Sequence, residues 1–472
     1  MLDAYVSAGG GNGIDAATRL GPGGTCDELT ASGLRGRGGA GFPTGRKWQT
    51  VFEYESPDIP PQVVVNGAEG EPGSFKDRTL LRTNPFRVLE GAVIAARTIG
   101  ANEIVFAMKH TFRREIAAVQ GAIDQAKSAG WLDGLTAVIA PGPSEYLFGE
   151  ETALLEVVDG RDPFPRIAPP YRHGIVEFGD DAGESAARLE MSTRDGESEA
   201  PPALVSNTET FANVPGILAF GADWFRELGT DDAPGTIVCT VTGSTLRHGV
   251  AEFPMGTPLA EVIETIGGGV ASGRRIAAVM SGVANALLPG DRLGTPCTYE
   301  DMQAAGTGLG AAGFIVFDDS VDLLAVAHGV SRFLSVESCG QCVPCKIDGL
   351  KIEEMLGKLL RHEAHPSDVE TLRRRLTTVA DSARCNLATQ QQVVIGSVLE
   401  RFPAALDAHA EIGGHASTPY LVAPIVDIEG GRAVLDVEHD KKQPDWTYDT
   451  PYSGKTPADL IDERAHHHEH EF

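Results

Sequence analysis

The chain has 472 residues, 66 acidic and 39 basic, for a formal net charge of −27. Non-specific binding to a phosphate backbone needs a basic surface, so this balance argues against a nucleic-acid partner; it reads first as solubility, and second as steering of a basic redox partner. At about 150 residues per domain the length predicts about three domains, enough to bury cores around cofactors. The start, Met1-Leu2-Asp3-Ala4-Tyr5, lacks the basic and apolar regions of a signal peptide, and no apolar run approaches the ~18 residues that span a bilayer. The expectation is a reducing, cytoplasmic setting, with any membrane attachment made through partner subunits and not by direct insertion.

To about residue 30 the chain is rich in Gly and Ala, and Cys26 has no spaced companion, so no role is read there. Ser32 to Trp48 then places six glycines within 13 residues, broken by Arg35, Arg37, Arg46 and Lys47. Glycine permits positive φ and close backbone approach, so this loop can turn its amides inward as an anion nest while Lys47 and the arginines neutralise a phosphate. A flexible loop is the alternative, and the spacing matches neither a Walker loop nor GxGxxG.

Val63-Val64-Val65 predicts a buried strand, and the loop from Asn66 to Arg78 at its carboxyl end offers a second wall for a ligand. Asn84-Pro85 supplies a cap and a first-turn proline for a helix through Ile99. Ile104 to Met108 and Leu135 to Ala140 are strand-like, and residues 113 to 129 carry apolar groups at helical spacing, so an α/β layer is expected. Gly149-Glu150-Glu151 should open another helix, where acids either decorate the N-terminus at about 0.3 to 1 kcal/mol or face a ligand. Residues 177 to 202 read as a polar, mobile surface loop. Asn207 and Thr208 suit ribityl or ribose hydroxyls, and would equally cap a helix.

From Gly235 the pattern changes to Thr236 to Thr242, Arg275 to Ser281 and Gly313 to Phe317 as strands around a helical Leu259 to Ile266, a compact β-grasp-like unit. Cys239 and Cys297 read as packing residues there. Beyond Val321 helices are predicted at 321 to 335, 346 to 361, 366 to 380 and 388 to 402. Among them Cys339, Cys342 and Cys345 recur at two-residue intervals, with Cys385 40 residues further on. Three thiols in one bent loop plus a distant fourth suit a cysteine-ligated [4Fe–4S] core; zinc, which more often takes two separated CxxC knuckles, and metal-free thiols stay open as alternatives. After about residue 415 little periodicity remains, and the His-rich end is read as disordered or an adventitious metal binder.

Taken together, GLRGRGGAGFPTGRKW, NGAEGEPGSFKDR, GEETALLE, NTETFANVP and ESCGQCVPC with its later cysteine resemble the flavin-bearing, NADH-oxidising subunit of respiratory complex I and its relatives in NAD-linked hydrogenases and formate dehydrogenases. The resemblance covers about residues 32 to 402. It implies an FMN-binding α/β domain with a Rossmann-like core (1–234), a ubiquitin-like SLBB domain (235–320), a helical [4Fe–4S] bundle (321–412) and an extended tail (413–472). It implies FMN held by Gly36, Gly38, Gly39, Lys47, Asn66, Gly149, Glu150, Asn207 and Thr208, with Glu69 in the same cofactor-binding set. Phe42 would stack near the nicotinamide nucleotide, with Glu71 and Glu151 on its ribose side, and Cys339, Cys342, Cys345 and Cys385 would ligate the cluster. Hydride would pass from NADH to FMN and single electrons onward to a separate thioredoxin-like [2Fe–2S] subunit and further iron–sulfur partners. The chain departs from the family at Ala68, where a carboxylate is usual, at Thr50, where an aromatic flanks the adenine, and at Pro169-Pro170-Tyr171. These departures motivate a second reading, in which the electron donor or acceptor is not NADH.

Overall fold

The computed structural model describes residues 1–53, 60–166, 203–410, 414, 416–461 and 463. The 177–202 segment, the Pro169-Pro170-Tyr171 motif and the His-rich end lie outside the described residues. A strand covered on both faces has to be apolar on both, and Val63, Val64 and Val65 are almost wholly buried. They form the middle of β1 (Gln62–Gly67), which lies between β2 (Glu103–Lys109) and β4 (Ala203–Asn207); β3 (Thr136–Gly142) flanks β2. The order is β3-β2-β1-β4 and every pairing is parallel. The mixed α/β fold with a parallel sheet is therefore as expected. Because β2 and β4 lie on opposite sides of β1, the winding direction reverses between β1 and β4, and a crevice opens at their carboxyl ends. Asn66 and Asn207 are paired neighbours there.

The Pro85–Thr98 helix starts as predicted, with Pro85 in its first turn and the Asn84 side chain accepting from Arg87 N. Its residues from Val88 to Ala96 are all buried, packed on β1, β2 and the Asn12–Ser32 and Thr208–Phe220 helices. Gly91 permits that contact, since a Cβ there would lie 2.0 Å from Phe211 O. The Gly- and Ala-rich opening region is helical at Leu2–Ser7 and Asn12–Ser32, the latter kinked at Gly21 before Pro22. It is pinned by buried Glu90, which accepts hydrogen bonds from Tyr5 Oη (2.7 Å), Gly11 N (2.9 Å) and Gly13 N (3.0 Å). Local propensity hides these helices because Gly and Pro weaken them and the anchoring carboxylate is 77 residues away for Gly13.

A second sheet combines β5 (Thr236–Gly243), β6 (Gly249–Pro254), β7 (Ile276–Ser281), β8 (Leu288–Pro289) and β9 (Gly313–Asp318) in the order β6-β5-β9-β7-β8. Only β5 and β9 pair in parallel. The Leu259–Gly267 helix buries Leu259, Val262, Ile263 and Ile266 in the same core as Cys239 and Cys297. Helices Leu323–Glu337, Val343–Leu360, Pro366–Thr378 and Leu387–Arg401 follow, each within a few residues of its predicted bounds. No helix among the described residues is long and apolar enough to cross a membrane.

The tail departs most from expectation. It forms a hairpin of β10 (Ile425–Glu429) and β11 (Arg432–Leu435), turned by Gly430 and Gly431 at φ of 55° and 73°. Arg78 donates to Ile425 O and Val426 O, Arg82 pairs with Asp427, and His248 N donates to Gly431 O. The Gly-Gly turn between apolar runs is a hairpin signal that the expectation of an extended tail overlooked.

Gly91→Ala should force the two central helices apart and destabilise the fold by about 1 to 3 kcal/mol, the usual cost of overpacking. The measurement is the thermal unfolding midpoint; an unchanged midpoint would show that the helices do not meet at this point.

Candidate functional site

A cavity of ≈ 810 Å³ opens at the carboxyl ends of β1 and β4, within the range of small-molecule and cofactor sites. Gly36, Gly38, Gly39, Phe42, Lys47, Asn66, Glu69, Glu71, Gly149, Glu150, Glu151 and Asn207 all line it. Thr208 does not: it is fully buried, with its hydroxyl donating to Asn66 O at 3.1 Å, so it supports the wall from behind. The glycine loop is closed by Gly36 N to Phe42 O (2.8 Å) and Thr44 N to Leu34 O (2.9 Å), and Gly39 sits at φ 120°.

The arginines of that loop are a correction to the expected phosphate cradle. Arg37 is buried and donates to the carbonyls of Arg35, Pro234 and Thr236. Arg35 donates to Gly41 O and pairs with Glu300. Neither lines the cavity; the cation that does is Lys47, 2.8 Å from Glu151 Oε1. Thr50 is likewise off the cavity and bonds Arg46 O of its own helix.

Fixed polar groups build the floor. Asn207 caps the Thr208–Phe220 helix through Glu209 N, receives Lys76 Nζ at 3.0 Å and donates to Asp77 Oδ2 at 2.7 Å. Asn66 donates to Gly149 O and accepts from Ala68 N. An amide nitrogen carries two hydrogens, so each asparagine keeps one for a ligand. Lys76 is buried against Asp77 (2.7 Å) and Glu209 (2.9 Å). Glu69 accepts from Ser74 Oγ and the amides of Asp77 and Arg78, which directs it at the start of the Lys76–Thr83 helix; burial and nearby Asp77 push its carboxyl above the usual range. Burial also raises Glu71, which accepts from Tyr146 Oη (2.5 Å) and Val283 N (2.6 Å). Glu150 is the cap of the Glu151–Val158 helix, accepting from Ala153 N, so the decorative reading describes its bond even as it lines the cavity. The sequence reading missed Tyr146, and also Ala284, Asn285, Gly310 and Ala311, which the loops after β7 and before β9 contribute to the wall. Tyr146 stands beside the GEETALLE motif; the others sit in a different unit with no local signal.

Cys339, Cys342, Cys345 and Cys385 line one small hollow together with Leu147, Pro165, Leu387 and Ala388. Cys342 caps the Val343–Leu360 helix, Gly340 turns the loop at φ 85°, and Cys385 comes from just before the Leu387–Arg401 helix. Ser338 Oγ lies 3.3 Å from Cys345 Sγ, and Gln341 Nε2 donates to Cys339 Sγ at 3.5 Å. Burial pushes the Cys345 thiol up to about 11, so a cationic core is what would make buried thiolates stable. Among the described residues no three Cys, His, Asp or Glu side chains are grouped to hold a metal ion. The four thiols nonetheless line one hollow, which is the donor set a cysteine-ligated cluster takes. The two cavities share Leu147, Cys385 and Leu387.

Comparison with known proteins agrees with this geometry. Residues 29–216 match the family model described as the Nuo51 FMN-binding domain, and residues 325–409 match the iron–sulfur binding region of NADH-ubiquinone oxidoreductase-F. The NADH-quinone oxidoreductase F-type subunit of Aquifex aeolicus is 32% identical over 410 residues, covering 85% of this chain and 89% of that protein. An F-type subunit of the same enzyme in Rhizobium meliloti is 32% identical over 87% of this chain and 94% of its own. The HndC subunit of the NADP-reducing hydrogenase of Solidesulfovibrio fructosivorans is 30% identical, covering 87% and 81%. Among solved structures, an NAD+-reducing [NiFe]-hydrogenase in the H2-reduced state superposes with a TM-score of 0.72 at 30% identity over 85% of this chain; the match spans 64% of the hydrogenase chain. With the glycine loop inside the first matched region and all four thiols inside the second, the chain belongs to the family of F-type NADH-quinone oxidoreductase subunits.

Proposed function

We propose that this chain is the electron-input subunit of a multisubunit oxidoreductase, taking hydride from NADH on FMN and passing single electrons to a [4Fe–4S] cluster and then to partner subunits. The observation that carries the reading is the wall shared by the two cavities, since Cys385 belongs to both. Bound FMN would supply the exchange between a two-electron hydride and single electrons. The chain's own residues orient and insulate. Gly36, Gly38 and Gly39 leave room for close backbone approach, and Lys47 faces the phosphate. Asn66 and Asn207 direct amide hydrogens into the cavity, with Thr208, Gly149 and Glu150 holding the walls. Phe42 offers a ring to the nicotinamide nucleotide. Glu151 and Glu71 stand on the ribose side, where a carboxylate accepts from ribose hydroxyls and repels a 2′-phosphate. Cys339, Cys342, Cys345 and Cys385 hold the cluster.

In this reading residues 1–234 form the FMN and NAD-binding unit, 235–320 an SLBB-type β-grasp, 321–412 the helical cluster unit and 413–472 the tail. A thioredoxin-like [2Fe–2S] subunit is the expected immediate partner. The location is cytoplasmic, with membrane attachment through other subunits. A second reading keeps both cofactors but another donor or acceptor, and Ala68, a buried residue of the cavity wall at the position where the family resemblance leads one to expect a carboxylate, supports it.

Anaerobic addition of NADH should bleach the flavin absorption and develop the EPR signal of a reduced cluster. A flavin reduced by dithionite but by neither NADH nor NADPH would favour the second reading. Lys47→Ala should weaken FMN roughly tenfold while leaving riboflavin affinity nearly unchanged, because a charge-assisted bond to phosphate contributes about 1.5 to 3 kcal/mol and Lys47 is partly exposed. Equal losses for both flavins, measured by fluorescence titration of the apoprotein, would remove Lys47 from the phosphate.

A further inference from the structure

The tail lies beyond both matched regions, which end at residues 216 and 409, yet it reaches the centre of the redox path. Glu337 is 2% exposed and stands two residues before Cys339. Its Oε1 accepts from Lys442 Nζ (2.9 Å) and faces His439 Nε2 (2.8 Å); its Oε2 accepts from Tyr146 N (2.9 Å). One carboxylate thus touches a wall residue of the large cavity, the approach to the cysteine loop, and two residues of the tail. Lys442 is itself 1% exposed and lies 3.7 Å from Glu145 as well. The segment is held in place by Trp446 Nε1 to Val336 O (3.0 Å), Ala458 N to Cys339 O (3.0 Å) and Arg332 Nη2 to Asp440 O (2.6 Å). Thr456 packs so closely on Gly340 that a Cβ there would lie 2.2 Å from its own Cβ.

A charge buried beside a redox centre acts through a low dielectric, so it biases the equilibrium between oxidised and reduced forms far more than a surface charge does. The titratable groups that face Glu337 and Lys442 are Glu145, Lys109, Lys346, His439 and Tyr448. Lys442 is the cation whose position depends wholly on the tail. We propose that Lys442 is a positioning residue of electron transfer: by neutralising Glu337 beside the cysteine loop, it sets the reduction potential of the [4Fe–4S] cluster. The C-terminal segment is then a working part of the redox path and more than a strap. This inference rests on the proposed cluster at Cys339, Cys342, Cys345 and Cys385.

The test is an EPR-monitored redox titration of the full chain, with iron and flavin content measured on each sample. Lys442→Met removes a buried positive charge and should lower the midpoint potential, since reduction adds further negative charge. Glu337→Gln removes a buried negative charge and should raise it. The double variant should return close to the parent value. Shifts in one direction for both variants, or none in cluster-bearing protein, would overturn the proposal, because a purely structural strap gives cluster loss without opposed shifts. Should Lys442→Met fail to fold, Glu337→Gln alone decides: a raised midpoint supports the role and an unchanged one removes it. A parent protein with neither iron nor a cluster signal would instead refute the proposed function.

Discussion

The cavity depends on one buried ammonium. Lys76 Nζ meets Asp77, Glu209 and Asn207 within 3.0 Å, and both it and the two carboxylates are nearly inaccessible to water. Removing one partner of such a cluster strands a buried charge, which typically costs about 3 to 5 kcal/mol. Asp77 belongs to the first turn of the Lys76–Thr83 helix that follows the β1 loop, Asn207 to the end of β4, and Glu209 to the helix after it. Glu209 also accepts Val238 N from the second sheet. A single cation therefore fixes the crevice between two parallel strands and aligns the second sheet against it. That burial gives Asn207 one orientation, which is what a wall residue needs if it is to present an amide to a ligand.

From that floor the rest of the route is a matter of shared walls. The 3-10 turn at Tyr146–Gly149 contributes Tyr146 and Leu147 to the flavin-type cavity, and Leu147 to the thiol hollow. Glu71, Tyr146 and Gln390 form a hydrogen-bonded line along one side of the cavity. Glu337 holds the backbone of Tyr146 from behind, and the tail supplies its counter-charges. Electron transfer between two cofactors tolerates little change in spacing. A construction in which adjacent cavities share side chains keeps that spacing without asking two domains to dock independently.

Much of this was legible in the chain. Val63 to Val65, Asn84-Pro85 and the two-residue spacing of Cys339, Cys342 and Cys345 are local patterns with local causes: a doubly covered strand, a helix cap, a loop bent around one core. Most of the residues singled out in the chain line the large cavity for the same reason, since the glycine loop and the Asn66 to Arg78 loop are contiguous. Reading cations as phosphate ligands failed at Arg35 and Arg37, because a guanidinium flanked by glycine looks free in one dimension and only packing shows its donors used by carbonyls, for Arg37 from residues about 200 positions away. Thr208 failed similarly: its neighbour Asn207 faces the cavity, and the first turn of the helix rotates the next side chain behind the wall.

By itself the sequence determined the α/β layer, the four helices around the thiols and the set of four cysteines that meet at one hollow, because periodicity, caps and spacing act over a few residues. Tertiary structure alone decided which elements meet. It brought Cys385 to the flavin-type cavity, Ala284 and Asn285 into its wall, Glu90 to the N-terminal helices, and Lys442 to Glu337 across 105 residues. Those contacts are made by burying charge and polar groups against distant partners, and the energy that selects them exists only once the chain has folded and water has been excluded.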